Sequence, residues 1–271
     1  MRLWPDVFQF VTAGVILTLC ARSPVFAQTT GVASNAQEVP VSVPFVGCAS
    51  SGQIERLEAP KGTSRLVPIS PEAAQALAHY ESADGIGLLA PRGWHCEGAS
   101  GSGGYALFLS PKPIRHSMSG WAGLEGAAIE VNHMYGGTSG RYNVAQIIAR
   151  VFPAYRAFAV RALEMSDLPV PSHPYPKDTL NYIGKAIVEY KTPAQTDGLG
   201  NFDSWLGKND MPIIGAAILL VDPPPKPNGD PPDAVRLSVR VPPDLTRLTP
   251  EIVRYHNCPA ISRTESIDWR S

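Results

Sequence analysis

The stretch Ile86–Pro111, "IGLLAPRGWHCEGASGSGGYALFLSP", decides how this chain is read. Its ends, IGLLAP (86–91) and GYALFLSP (104–111), are short apolar runs punctuated by Gly and Pro, as strands are. Between them, Pro91–Gly104 sets an Arg, a Trp, a His, a Cys and a Glu against a run of small residues. That segment is either an active site or a disulfide anchor beside a turn. The density of Gly and Ser favours a turn joining the two strands.

Outward from that pair the chain is mixed. Ser70-Pro71-Glu72 opens a predicted helix, SPEAAQALAHYESA, with Ser70 as N-cap, Pro71 in the first turn and Asp84-Gly85 at the end. GAAIEVNHMY (126–135) alternates and reads as a third strand. In RYNVAQIIARVFPAY, Val144, Ile147, Ile148, Val151 and Phe152 recur at helical spacing, and Pro153 stops or kinks that helix. YRAFAVRALEM continues as a second helix, and KAIVEYKTPA adds a strand. PIIGAAILLV and the alternating AVRLSVRV flank the Pro-rich Asp222–Pro232, whose Asn228-Gly229 marks a long hairpin loop. PPDLTRLTPEIVRYHN (242–257) reads as a short helical end. Strands outnumber helices, and most consecutive strands are joined by loops too short for crossovers. The expected fold is therefore α+β, an antiparallel sheet with helices packed on one face, in a single domain over residues 44–271.

The N-terminus supplies an address. A short basic start, the apolar stretch Phe10–Cys20 and a small-residue site with Val25 and Ala27 at −3 and −1 make a signal peptide over residues 1–27. An apolar run of that length is too short to span a bilayer, which needs about 20 residues. Leu19 before Cys20 argues against lipid attachment there, and residues 28–43 read as a disordered lead-in. Removing Arg2, Arg22 and Asp6 takes the 23 basic and 24 acidic residues to 21 and 23, a formal charge of −2. That balance gives no electrostatic reason to expect nucleic acid or an anionic membrane as partner, and no later segment is apolar enough to cross a membrane. The expected location is periplasmic or secreted.

Export passes the chain through an oxidising compartment, so a bridge is expected among Cys48, Cys96 and Cys258. Three cysteines allow three different single bridges. Cys48–Cys96 is the expected one, with Cys258 left free or paired between chains; the other two stay open.

FVGCASSGQ, LLAPRGWHCEG, MYGGTSGRYNVAQIIARVFP and VRVPPDLTRLTPEIV together resemble segments of a family of exported proteobacterial proteins with no known activity. The likeness covers most of the chain from Phe45 to about Val253. The chain departs from the family pattern at three places. Ser51 stands where the family has Asp, Glu55-Arg56 where it has Gly-Pro, and Glu97 where an aromatic residue is common. The resemblance implies export and a single domain, and nothing about chemistry.

No catalytic constellation is complete. Cys96 as a nucleophile would need a histidine in space; His95 is adjacent and on a strand points to the opposite face. His79, His116, His133, His173 and His256 are scattered, and nothing selects one. GASGS and GTSGR both miss the last position of the nucleophile elbow. There is no H-x-x-x-H and no C-x-x-C, so no metal or other cofactor is implied. The most suggestive polar feature is GGTSGRYNV. Thr138 and Ser139 can cap helix donors, Gly140 permits close approach, and Arg141 adds positive charge, a setting for an anion. Without a Lys-Ser/Thr it is not a P-loop. Arg92 is a candidate neighbour, and Trp94 is either core packing or, with Arg92, part of a binding face. The candidate binding residues are thus Arg92, Trp94, Ser139 and Arg141. The expected function is a non-catalytic envelope protein that binds a partner or a small anion, and the alternative is a hydrolase-like enzyme using Cys96 with a distant His.

Overall fold

A computed structural model describes residues 39–114, 116–117, 120–121, 123–220 and 231–257. The signal segment, Cys258 and most of the Pro-rich loop lie outside them, so those readings meet no structure. The chain runs through β1 (Val41–Cys48), two short strands β2 (Ser50–Ser51) and β3 (Arg56–Leu57), and β4 (Ser64–Val67). β1 begins inside the segment assigned to the lead-in. Then come α1 (Pro71–Ala76), β5 (Leu77–Ser82), β6 (Gly87–Pro91), β7 (His95–Gly101) and β8 (Gly104–Ser110). A small hairpin, β9 (His116–Ser117) and β10 (Gly120–Trp121), precedes β11 (Ala128–Met134). α2 (Arg141–Val151) and α3 (Arg156–Glu164) follow, then β12 (Thr179–Tyr182), β13 (Ile187–Thr192), β14 (Ile213–Leu220), β15 (Asp233–Arg240) and α4 (Thr249–Asn257).

The architecture is α+β, but the two larger sheets are mixed and not purely antiparallel. One has the order β4-β1-β5-β6, the other β12-β13-β14-β15-β11-β8-β7-β2-β3. β1 pairs antiparallel with β4 through its first half and parallel with β5 through its second. β2 then pairs parallel with β7. The chain thus leaves one sheet at Cys48 and enters the other at Ser50. At this crossing Ala83 N–H donates to Cys48 O (3.1 Å) and Gly98 N–H to Ala49 O (2.8 Å). The Cys48–Cys96 disulfide closes there, with Cα atoms 5.5 Å apart, as expected from the sequence.

Two expected elements change character. The Ser70 cap is real, its side chain accepting from Ala73 N–H at 3.2 Å, but the helix stops at Ala76. Leu77–Ser82 is strand β5, held between β1 and β6 and buried nearly throughout, so tertiary pairing overrides the alanine-rich helical look. The small residues expected to form a broad turn are instead β7, paired with β8 from His95↔Ser110 to Gly101↔Gly104. Gly98 is small because a Cβ there would sit 2.1 Å from Ser50 Oγ, where β2 passes close. Only the Gly101–Gly104 end is a turn.

Helices cover both faces of the nine-stranded sheet, not one. Strand residues alternate between two cores. Ile129, Val131, Leu237 and Val239 face a core shared with α1, β5, β6 and α4. Ala128, Met134, Ala217 and Ala234 face a second core built on α2 and α3, with Val144, Ile147, Ile148 and Val151 as the α2 stripe. The polar half of β15 points into this second side as well. Arg236 and Glu130 are each 1% exposed and pair at 3.4 Å. Arg236 also donates to Phe202 O and Asp203 O, and Glu130 accepts from Ser204 Oγ and Trp205 N–H, both at 2.8 Å. Arg240 donates to Leu124 O and Gly207 O (2.6 Å each). These buried charges clamp the loops at 124–126 and 202–207 onto the sheet, where unpaired they would be costly. Among the described residues no helix is long and apolar enough to cross a membrane.

Candidate functional site

The structure separates the candidate residues into two groups. Arg92 donates from Nε to Leu77 O (3.1 Å) and from Nη2 to Ala74 O, satisfying carbonyls at the end of α1. Trp94 packs half-buried against the first core, and its backbone N–H donates to Tyr80 Oη (3.0 Å), which in turn donates to Pro91 O (2.8 Å). Cys96 is bonded to Cys48, so its sulfur is not a thiolate here. Next to it Glu97 accepts from Arg56 Nη2 (2.7 Å) and Ser51 Oγ (3.1 Å). Ser51, Arg56 and Glu97 thus meet at one ion pair.

Ser139 and Arg141 lie at the opposite end of the β7–β8 hairpin, about 20 Å away at roughly 3.3 Å per strand residue. Arg92 is therefore no neighbour of the Gly136–Arg141 loop. That loop packs on the Gly101–Gly104 turn. Tyr135 N–H donates to Gly103 O (2.9 Å), and Ser102 and Ser139 hydroxyls lie 3.1 Å apart. Gly140 is required, since a Cβ would sit 2.1 Å from Gly103 O. Ser139 thus spends its hydroxyl on Ser102, and α2 begins at Gly140 without a side-chain cap.

Pro153 ends α2, and after a short 3-10 turn α3 folds back so that its last turns lie beside the first turn of α2. The result is a cleft of about 340 Å³ lined by Gly136, Gly137, Arg141, Phe158, Arg161, Ala162, Met165 and Pro231. An arginine from each helix, Arg141 of α2 and Arg161 of α3, lines it. Among the described residues neither has a carboxylate partner, and the buried Nε of Arg141 has no acceptor. Arg141 also lies 5.4 Å from the centre of the Tyr142 ring. Sequence reasoning missed Arg161. In YRAFAVRALEM it reads as one charge on the polar face of a helix, and only the helical hairpin sets it beside Arg141.

Behind the cleft a polar cluster holds its glycine wall. Asp233 accepts from Gly136 N–H at Oδ1 (2.8 Å) and faces His133 Nε2 at Oδ2 (3.3 Å). The His133 ring lies 4.7 Å from Tyr105 and 5.4 Å from Tyr135. Burial, then the nearby Asp233 and Asp84 carboxylates, raise the Tyr135 phenol above its ordinary range. Burial raises Tyr105 as well, with Tyr135, Asp233 and Asp84 adding to it. Both phenols stay protonated at neutral pH, so the cluster is a fixed support for the Gly136-Gly137 backbone. Among the described residues no group of three or more His, Cys, Asp or Glu is placed to hold a metal ion.

Comparison with known proteins yields no matching family model, no matching curated relative and no matching solved structure. The functional reading therefore stands on the geometry just described.

Proposed function

We propose that the chain is an exported, single-domain binding protein without catalytic activity, and that it holds a small anion in the cleft between α2 and α3. One observation carries this: Arg141 and Arg161 line the same cleft without carboxylate partners among the described residues. Charge-assisted hydrogen bonds from a guanidinium to carboxylate, sulfate or phosphate are about twice as strong as neutral ones. Gly136 makes room for the Pro232 backbone, whereas a Cβ on Gly137 would meet nothing within 4 Å, so the backbone there is open to a ligand. Export is supported by the signal-like N-terminus and the disulfide, since such bridges persist in oxidising compartments. Resemblance to a family of exported proteobacterial proteins belongs to the same reading. The bridged Cys96 deprives the hydrolase alternative of its nucleophile.

The test is thermal unfolding at fixed ionic strength in sulfate, phosphate and acetate. A ligand that binds only the folded state at a hundred times its Kd stabilises by about 2.7 kcal/mol. That gain should vanish when Arg141→Gln and Arg161→Gln are combined. Melting temperatures no higher in any of the three anions than in chloride would overturn the proposal.

A further inference from the structure

The rest of the cleft points to more than a bare anion. We infer that its ligand is a single-chain anionic amphiphile, whose head meets Arg141 and Arg161 and whose tail lies on Phe158, Ala162 and Met165; this rests on the reading that the arginines hold an anion. Apart from the two arginines, the lining is apolar or glycine. It includes no Ser, Thr, Asn or Gln side chain, and the Gly136 N–H is already taken by Asp233. A sugar or nucleotide would therefore leave its hydroxyls and ring nitrogens unpaired against this wall, which costs binding. A cationic ligand would meet two like charges. The volume, about 340 Å³, falls within the range of small-molecule pockets and far exceeds what a sulfate or acetate fills.

Met165 strengthens the case. It is 76% exposed at the edge of the cleft, whereas Phe158 is half-buried against the second core. An unbranched thioether adapts its shape to what it covers, which suits an alkyl chain of variable conformation. The Asp233–Gly136 bond holds the opposite wall in place, so the tail has a rigid side and a pliable one.

The experiment is calorimetric titration of the full exported chain with acetate, hexanoate, octanoate and decanoate, each below its critical micelle concentration. Decyl phosphate and decyltrimethylammonium serve as head-group arms. Affinity should rise about three- to fourfold per added methylene until the cleft is full. Decyl phosphate should bind more tightly than inorganic phosphate, and decyltrimethylammonium should not bind. Met165→Gln, at an exposed position that leaves the core intact, should flatten the chain-length series. Anion binding that needs the arginines but ignores chain length would overturn this inference and leave the proposed function standing. Absence of binding by every probe would remove both. Equal affinity for decanoate and decyltrimethylammonium would also remove both, because the arginines would then be irrelevant.

Discussion

Two buried histidines should make this protein acid-labile. His79 is 2% exposed, lies between the Phe45 and Tyr255 rings at 5.9 Å each, and has an Nδ1 without a partner. His256 on α4 is 8% exposed, and its Nε2 has no partner. Burial pushes the pKa of both down to about 4, with the positive charge of Arg65 adding to the effect at His79. Each ring is therefore held neutral in the fold and titrates near 6.5 in the unfolded chain. The stability this provides is fully present above pH 6.5 and is lost as pH falls from 6.5 towards 4, because the unfolded chain takes up protons that the fold refuses. One unit of pKa is worth about 1.4 kcal/mol, so each histidine accounts for about 3 kcal/mol over that window. Two of them are comparable with the whole stability of a typical domain, roughly 5–15 kcal/mol.

Glu189 acts in the opposite sense. Burial raises its carboxyl above the usual range despite hydrogen bonds from Asn181 and Asn257, so its contribution grows as pH falls through that raised pKa. The histidine effect is cleanest just below pH 6.5. Urea unfolding followed by tryptophan fluorescence at pH 7, 6 and 5, at constant ionic strength, should show a slope approaching about 3 kcal/mol per pH unit. His79→Leu or His256→Leu should each halve that slope, whatever each does to absolute stability. A flat profile from pH 7 to 5, or a slope unchanged in the double variant, would refute the reasoning.

Other outcomes follow from the same contacts. Replacing Cys48 and Cys96 together with Ser should lower stability by about 4 kcal/mol, the chain-entropy value for a 48-residue separation, as read from the denaturation midpoint. Arg236→Met leaves Glu130 buried without its cation and should cost about 3–5 kcal/mol, whereas pairing it with Glu130→Gln should recover much of the loss; equal losses in single and double variants would contradict the pairing.

Local chemistry made much of the fold legible. Ser70 caps α1, Pro153 ends α2, and the two apolar runs around the Pro-rich segment pair as β14 and β15 from Ile214↔Val239 to Leu220↔Asp233. Residues 77–82 misled because their composition suits a helix while their pairing partners lie some thirty residues upstream on β1. Gly98 misled for a related reason: its missing side chain makes room for β2, a strand distant in sequence, and not for a turn. In the candidate site, Arg141 and its glycine loop were visible as a motif, whereas Arg161 was one helical charge among several. Arg92 had the right chemistry at the wrong end of a hairpin.

By itself the sequence determined where strands and helices begin and end wherever a cap, a proline or a short-range alternation decides the matter. It also named Cys48–Cys96 as the expected bridge, with the two other pairings left open. Only the tertiary structure decided which way the polar half of β15 faces. Alternation in AVRLSVRV marks two faces but does not say that Arg236, Ser238 and Arg240 turn inward. They do so because the loops at 124–126 and 200–207 bring carbonyls, and the neighbouring strand β11 brings the Glu130 carboxylate, to meet them. The same holds for the cleft: a guanidinium is a solvated surface charge until a second helix folds back and sets another beside it.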